Sequence, residues 1–249
     1  ERERDQAALD RFRAITAPFI LRRLKTDKSI IADLPDKIES NRYCTLTPRQ
    51  AALYENTVAT IMADLERAEA GIERRGIIFK LINALKQICN SPAQFARQTH
   101  AAVDESGKLA AFVDIMREVD AADEKALIFT QYKTMGHLLV NTLSEELGLD
   151  TAFLHGGLSR TKRDAMIEDF QSADGRRVLV LSLKAGGTGL NLTAASQVVH
   201  YDLWWNPAVE RQATDRAYRI GQHRNVVVHR LITENTFEEK IDEMIQSKK

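Results

Sequence analysis

From Ser106 onward the apolar residues fall into two alternating arrangements. Five short runs are almost continuously apolar: Ala126–Thr130, Thr151–Leu154, Val178–Ser182, Gln197–Tyr201 and Val226–Leu231. Runs of that length without polar alternation predict strands buried on both faces. Between them lie segments with apolar residues at helical spacing: Lys108–Val119, Met135–Leu147, Thr161–Phe170, Pro207–Ile220 and a last stretch from Thr236. Strand–helix alternation predicts an α/β fold, a parallel sheet with helices on both faces. Ligands of such sheets collect at the carboxyl ends of the strands.

Upstream the pattern differs. Residues 1 to about 15 read as a charged amphipathic helix stopped by Pro18. Phe19–Lys25 mixes apolar and basic residues, Leu34–Lys37 is a turn, and Ile38–Leu46 alternates weakly like an edge strand. Thr47-Pro48 starts a helix, with threonine as N-cap and proline at the first helical position. That helix is expected to run to about Ala70 and to break around Gly71 and Gly76. A second helix follows, with Ile77, Leu81, Leu85 and Ile88 as a buried stripe, and ends at Pro92.

Composition narrows the function classes. The chain has 249 residues, 44% hydrophobic and 28% charged, which is the make-up of a soluble globular protein. Its 35 basic and 35 acidic residues balance, so any nucleic-acid site must be a local patch. Cys44 and Cys89 are far apart and in no metal-binding spacing, which argues against zinc or a disulfide framework. No apolar run could span a bilayer, and the ERERDQ opening is no signal peptide. The absence of an initial methionine suggests a piece of a longer protein.

The densest chemistry lies between Val178 and Gln222. The strand Val178–Ser182 leads into Lys184-Ala-Gly-Gly-Thr-Gly189, where glycines let backbone N–H groups approach a ligand. On the expected helix from Pro207 to Ile220, Gln212, Arg216 and Arg219 share one face, and Val209, Ala213, Ala217 and Ile220 form an apolar stripe. Two guanidinium forks beside a glycine loop suit a polyphosphate, and a merely solvated polar face would look the same. Thr130-Gln131, His155-Gly156 and Ser182 with Lys184 lie at strand ends. Hydroxyls, glycine amides and a lysine there can hold a nucleic-acid backbone, or simply be wet loop residues. His155 has no second ligand at metal-binding spacing. Trp204 and Trp205 can be core anchors or a stacking surface. A G-x-x-x-x-G-K-[ST] phosphate loop and an Asp-Glu metal motif occur nowhere, so at most half of a nucleotide hydrolysis site is present.

The undecapeptide Gln212–Gln222, QATDRAYRIGQ, together with the glycine loop before it, resembles motifs V and VI of superfamily-two helicases. More specifically it resembles the SWI/SNF-type DNA-dependent ATPases, and the likeness extends over nearly the whole chain. Ser91 stands where that family commonly has histidine. The resemblance implies a RecA-like second lobe at residues 106–249, a helical protrusion at 46–105, and a linker or brace from a first ATPase lobe at 1–45. It implies Arg216 and Arg219 as catalytic arginine fingers and Gly189, Asn191 and Gln212 as ATP-binding residues. Thr130, Gln131, His155, Gly156, Ser182, Lys184 and Trp205 would contact double-stranded DNA. The cofactor would be ATP with Mg²⁺, the metal held by the first lobe, and this chain alone would not hydrolyse ATP. Partners would be duplex DNA, the first lobe and a DNA-bound protein that is remodelled, with no membrane. The location would be intracellular, with the DNA: cytoplasm in a bacterium or archaeon, nucleus in a eukaryote. A non-catalytic binding module with the same fold, or the lobe of a strand-separating helicase, are the alternatives.

Overall fold

The computed structural model describes residue 11 and residues 34–68, 71–182 and 189–247. The chain divides into two compact units, residues 1–34 and 35–249, and nearly everything described belongs to the second. Apart from helical Arg11, the N-terminal helix expected over residues 1–15 lies outside the described residues, as does the Phe19–Lys25 brace.

Six strands form one sheet: β1 (Lys37–Cys44), β2 (Ala126–Thr130), β3 (Thr151–Leu154), β4 (Val178–Ser182), β5 (Gln197–His200) and β6 (Val226–Thr233). Their order is β1-β6-β5-β2-β4-β3, and every pairing is parallel. Every residue of the central strands β2 and β4 is buried, as continuous apolar runs require. Side chains alternate between two faces. Ala126, Ile128, Val178, Val180 and Val199 share one apolar cluster with Phe112 and Met116 of α3 (Gly107–Ala121) and Leu138 and Leu139 of α4 (Lys133–Leu147). Each such side chain contributes about 1.5–3 kcal/mol on burial. Helix α4 sits so near β3 that a β-carbon on Gly136 would fall 2.1 Å from the Phe153 ring, so glycine there is a packing requirement.

Two helices precede the main sheet, α1 (Pro48–Arg67) and α2 (Ile72–Asn90). Thr47 caps α1 with a reciprocal capping box to Gln50. The expected break at Gly76 is absent, because α2 runs through that residue, and the helices part at residues 68–71. The expected buried stripe also holds over half its length only. Leu85 and Ile88 are buried, while farther out Ile72 is 89% and Phe79 72% exposed. No residue of α2 before Ala84 is buried, so this helix leaves the lobe there.

Its base is tied down by polar groups. Gln50 donates to the Ile88 carbonyl (2.8 Å) and accepts from the Gly107 amide (3.1 Å). Lys108 pairs with Glu238 at 2.7 Å, both completely or almost completely buried. Glu238 belongs to α7 (Phe237–Gln246), which is capped by Thr236. Two further helices are α5 (Arg160–Gln171) and α6 (Pro207–Thr214), and single helical turns occupy Pro92–Phe95 and Val103–Glu105.

Candidate functional site

Helix α6 starts as the sequence suggests, with Asn206 as N-cap and Pro207 at its first position, and then stops early. The expected helix to Ile220 ends at Thr214, and residues 215–221 form successive turns. Gln212, Arg216 and Arg219 are therefore not three residues of one helical face. Tertiary hydrogen bonds cause this. The Arg216 carbonyl accepts from the Leu192 amide (2.9 Å), and the Ala217 carbonyl accepts from the Gln222 side chain (3.2 Å). Both carbonyls are thereby turned toward the 189–195 loop. The apolar stripe is broken with the helix: Ala213 and Ala217 are buried, whereas Ile220 is 73% exposed.

These bonds fasten the arginine turn to the segment that follows Gly189. Gly189 adopts φ +101°, which favours glycine, and a β-carbon there would meet nothing within 4 Å. Gly189 and Asn191 are exposed, as are Gln212 and Arg219. Arg216 is buried, with its guanidinium 5.8 Å from the Phe129 ring centre. Burial, and then the positive charge of Arg163, pulls its pKa below the ordinary arginine value. Lys184 lies outside the described residues.

Alongside, His200 at the end of β5 stacks on Phe129 (5.5 Å) and meets the Thr214 hydroxyl at 2.9 Å. Burial holds this imidazole neutral, with its pKa pushed down to about 3. Helix α6 is oriented by Glu210, which accepts from the Trp204 amide (2.7 Å) and from Arg230 Nε (3.3 Å). Arg230 also binds Asp242 of α7 at 2.6 Å.

The carboxyl edge of the sheet is built from a second network, centred on Asp202. Thr130 donates its hydroxyl to this carboxylate, and the Gln131 amide donates to it at 2.9 Å. The Leu203 carbonyl next to it accepts from Gln131 Nε2 and from Lys86 Nζ, both at 2.7 Å. Thr130 has no exposed surface, and its hydroxyl is engaged in holding the strand tip. Ser182 is 7% exposed, so its side chain also faces inward.

Gln131 is half-buried, His155 is half-buried and Gly156 is exposed. His155 accepts from the Gly157 amide (3.1 Å) and contacts the Phe153 ring (5.0 Å) and His137 (5.8 Å). Desolvation, then the Lys133 charge, lowers the pKa of both histidines, so both are neutral near pH 7. Trp205 is 44% exposed, with the Lys86 ammonium 5.5 Å from its ring centre. An open groove runs between it and the hairpin, lined by Phe79, Ile82, Lys86, Gln131 and Tyr132. Sequence reasoning passed over Asp202, Lys86 and Gln222. Their importance arises from contacts between distant segments, and only the position of Gln222 inside the motif could have drawn attention to it. Among the described residues no cluster of three His, Cys, Asp or Glu side chains is placed to hold a metal.

A parallel six-stranded sheet with helices around it, and an arginine turn fastened to the segment after Gly189, defines a RecA-like lobe. Comparison with known proteins narrows this. The helicase conserved C-terminal domain family matches residues 107–221, and the SNF2-related domain family matches residues 2–94. The C-terminal domain of a Sulfolobus solfataricus SWI2/SNF2 ATPase is 40% identical, with a TM-score of 0.72 and 86% of each chain covered. The core of a Sulfolobus solfataricus SWI2/SNF2 ATPase, solved in complex with double-stranded DNA, is 44% identical with a TM-score of 0.75. That match covers 96% of this chain and 50% of the other. The provisionally named ATP-dependent helicase/translocase YwqA of Bacillus subtilis (strain 168) is 45% identical over 250 residues. All of this chain is matched there, and it spans 27% of that relative's length. The chain belongs to the SWI/SNF-type, helicase-like ATPases of superfamily two, as a C-terminal helicase lobe.

Proposed function

We propose that this chain is the second lobe of an ATP-dependent translocase of double-stranded DNA, working with a first ATPase lobe of the same protein to remodel a DNA-bound protein. Arg216 and Arg219 act there as arginine fingers, with Gly189, Asn191 and Gln212 lining the nucleotide. The single observation that carries this is the fastening of the arginine turn to the segment that follows Gly189, through Leu192 and Arg216. Two guanidiniums next to an open glycine loop fit the spread negative charge of a phosphoryl group in transfer. Bound ATP·Mg²⁺ supplies the phosphoryl group and a metal held by the first lobe. This chain supplies the forked cations and the backbone that aims them, and alone it turns over no ATP.

Duplex DNA meets the carboxyl edge at Gln131, His155, Gly156, Lys184 and Trp205, with Thr130 and Ser182 supporting from beneath. Neutral histidines, amides and an indole hold the backbone without reading sequence. Support comes from the Sulfolobus relative solved with double-stranded DNA. The test is DNA-stimulated ATP hydrolysis by the full-length protein. Arg216→Ala or Arg219→Ala should lower turnover by more than about tenfold, since arginine fingers contribute ~10³–10⁵ in rate. Nucleotide-free DNA affinity should stay unchanged. Near-normal turnover with weakened DNA binding would make these arginines backbone clamps.

A further inference from the structure

Gln222 ends the arginine turn, is 4% exposed, and binds at both ends of its carboxamide. Its Nε2 donates to the carbonyls of Ala195 (2.7 Å), Thr193 (3.1 Å) and Ala217 (3.2 Å). Two amide protons serve three acceptors, so one proton is shared. Its Oε1 accepts from the amides of His223 and Arg224, both at 2.9 Å. One neutral side chain therefore joins the loop after Gly189, the turn carrying Arg216 and the approach to β6.

We propose that Gln222 is the positioning residue for the arginine turn, setting where Arg216 and Arg219 stand relative to the glycine loop. This rests on the nucleotide role proposed for those arginines. The geometry behind it begins where α6 stops. Past Thr214 no regular helical ladder fixes the backbone, and the arginines take their places from the Leu192–Arg216 bond and from Gln222. Gly221, at φ +98°, turns the chain so that the amide comes back onto Ala217. A β-carbon on Gly221 would meet nothing within 4 Å, so the constraint there is backbone conformation and not space.

A primary amide offers two donor protons to carbonyls and an acceptor oxygen to backbone N–H groups while adding no charge, a set that a hydroxyl or a neutral imidazole cannot match. Glutamate would set a carboxylate against the carbonyls of Thr193, Ala195 and Ala217. Lysine would lose the acceptor. Either would also place a new charge beside a turn whose arginines must face a ligand. The Asn206 cap and the Glu210–Arg230 contact fix the start of α6, eight or more residues before the arginine turn closes, so they cannot replace this bond set.

The test uses the full-length protein with Gln222→Met, which keeps the bulk and removes all five bonds, and Gln222→Glu, which keeps the acceptor and loses the donor. Both should lower DNA-stimulated ATP turnover at least about tenfold, with KM for ATP and duplex affinity within about twofold. Amide hydrogen exchange should quicken at Leu192, His223 and Arg224 while β4 and β5 stay protected. A buried carboxyl facing carbonyl oxygens has a raised pKa and, once protonated, can donate one bond again. The deficit of Gln222→Glu should therefore shrink between about pH 8 and about pH 6, and that of Gln222→Met should not. Wild-type turnover in both variants would overturn the proposal. So would lost turnover with protection falling equally across β4 and β5, which would make Gln222 part of the general framework. If Arg216→Ala and Arg219→Ala are silent while exchange at Leu192 still quickens in Gln222→Met, the nucleotide role fails and the bond set stands as structure alone, which also ends the positioning claim.

Discussion

The carboxyl edge of the sheet and the face carrying Arg216 are fastened in opposite ways. At the edge the fasteners are charged and buried: Asp202, Lys86, and the Lys108–Glu238 pair that anchors the hairpin. On the face the arginine turn is fastened by backbone carbonyls and one neutral amide, Gln222. A buried charge requires partners, and once satisfied it stays engaged with them. Groups that hold structure can therefore be charged, and groups that must remain available to a ligand's charge are better held by neutral ones. Among the described residues at the edge, the accessible groups beside these charges are the Trp205 indole, the half-buried Gln131 amide, the neutral His155 and Gly156.

The largest effect that could break this contrast is at the arginines. Arg216→Lys and Arg219→Lys in the full-length protein should recover little of the more than about tenfold loss in ATP turnover expected of the alanine variants, because an ammonium lacks the planar fork. Full recovery, measured as DNA-stimulated hydrolysis, would mean that only charge matters on the face.

Next in size is the edge. Lys108→Met leaves Glu238 buried without its cation and should lower unfolding free energy by about 3–5 kcal/mol. Adding Glu238→Leu should restore much of it, as denaturant unfolding of single and double variants would reveal. Burial depresses the Lys108 ammonium, but the charge of Glu238 and its hydrogen bond outweigh this and leave the lysine raised, so Lys108 stays charged at neutral pH.

A smaller effect comes from His200, which is neutral in the fold. Its pKa is about 3 when folded against 6.5 when free, so below pH 6.5 the unfolded chain binds the extra proton. Its contribution is complete above 6.5 and is lost as pH falls toward about 3, at about 1.4 kcal/mol per pH unit. Subtracting the unfolding profile of His200→Asn from that of the wild type should isolate this slope, and a flat difference would refute the assignment. The smallest effect is Lys86→Met, which removes the cation from the Trp205 ring. It should raise acrylamide quenching of Trp205 in a Trp204→Phe background and weaken duplex binding by about 0.5–1 kcal/mol.

Much of the lobe was legible because its strands leave little choice. Ala126–Thr130, Thr151–Leu154 and Val178–Ser182 are too short and too apolar for anything but buried strands, and their bounds agree with the structure. The motif from Gln212 to Gln222 identified the family, yet its local conformation was misread. QATDRAYRI contains no glycine or proline and reads as helix, and the hydrogen bonds that end the helix come from Leu192 and Gln222, which local propensity cannot register. The engagement of the Thr130 hydroxyl by Asp202, 72 residues away, was illegible for a similar reason.

The edge strand β1 has a consequence for how the protein is made. It pairs along its whole length with β6, Lys37 with Val226 and Cys44 with Thr233. On a ribosome, β1 and the hairpin emerge long before their partner, and the sheet cannot close on that side until residue 233 has cleared the exit tunnel. During that interval β2 to β5 can assemble while β1 waits with its hydrogen-bonding groups open, the condition in which a strand is most prone to pair with a neighbouring chain. The sparse apolar content of β1, with Lys37, Glu39, Asn41 and Arg42 among its eight residues, is suited to that wait.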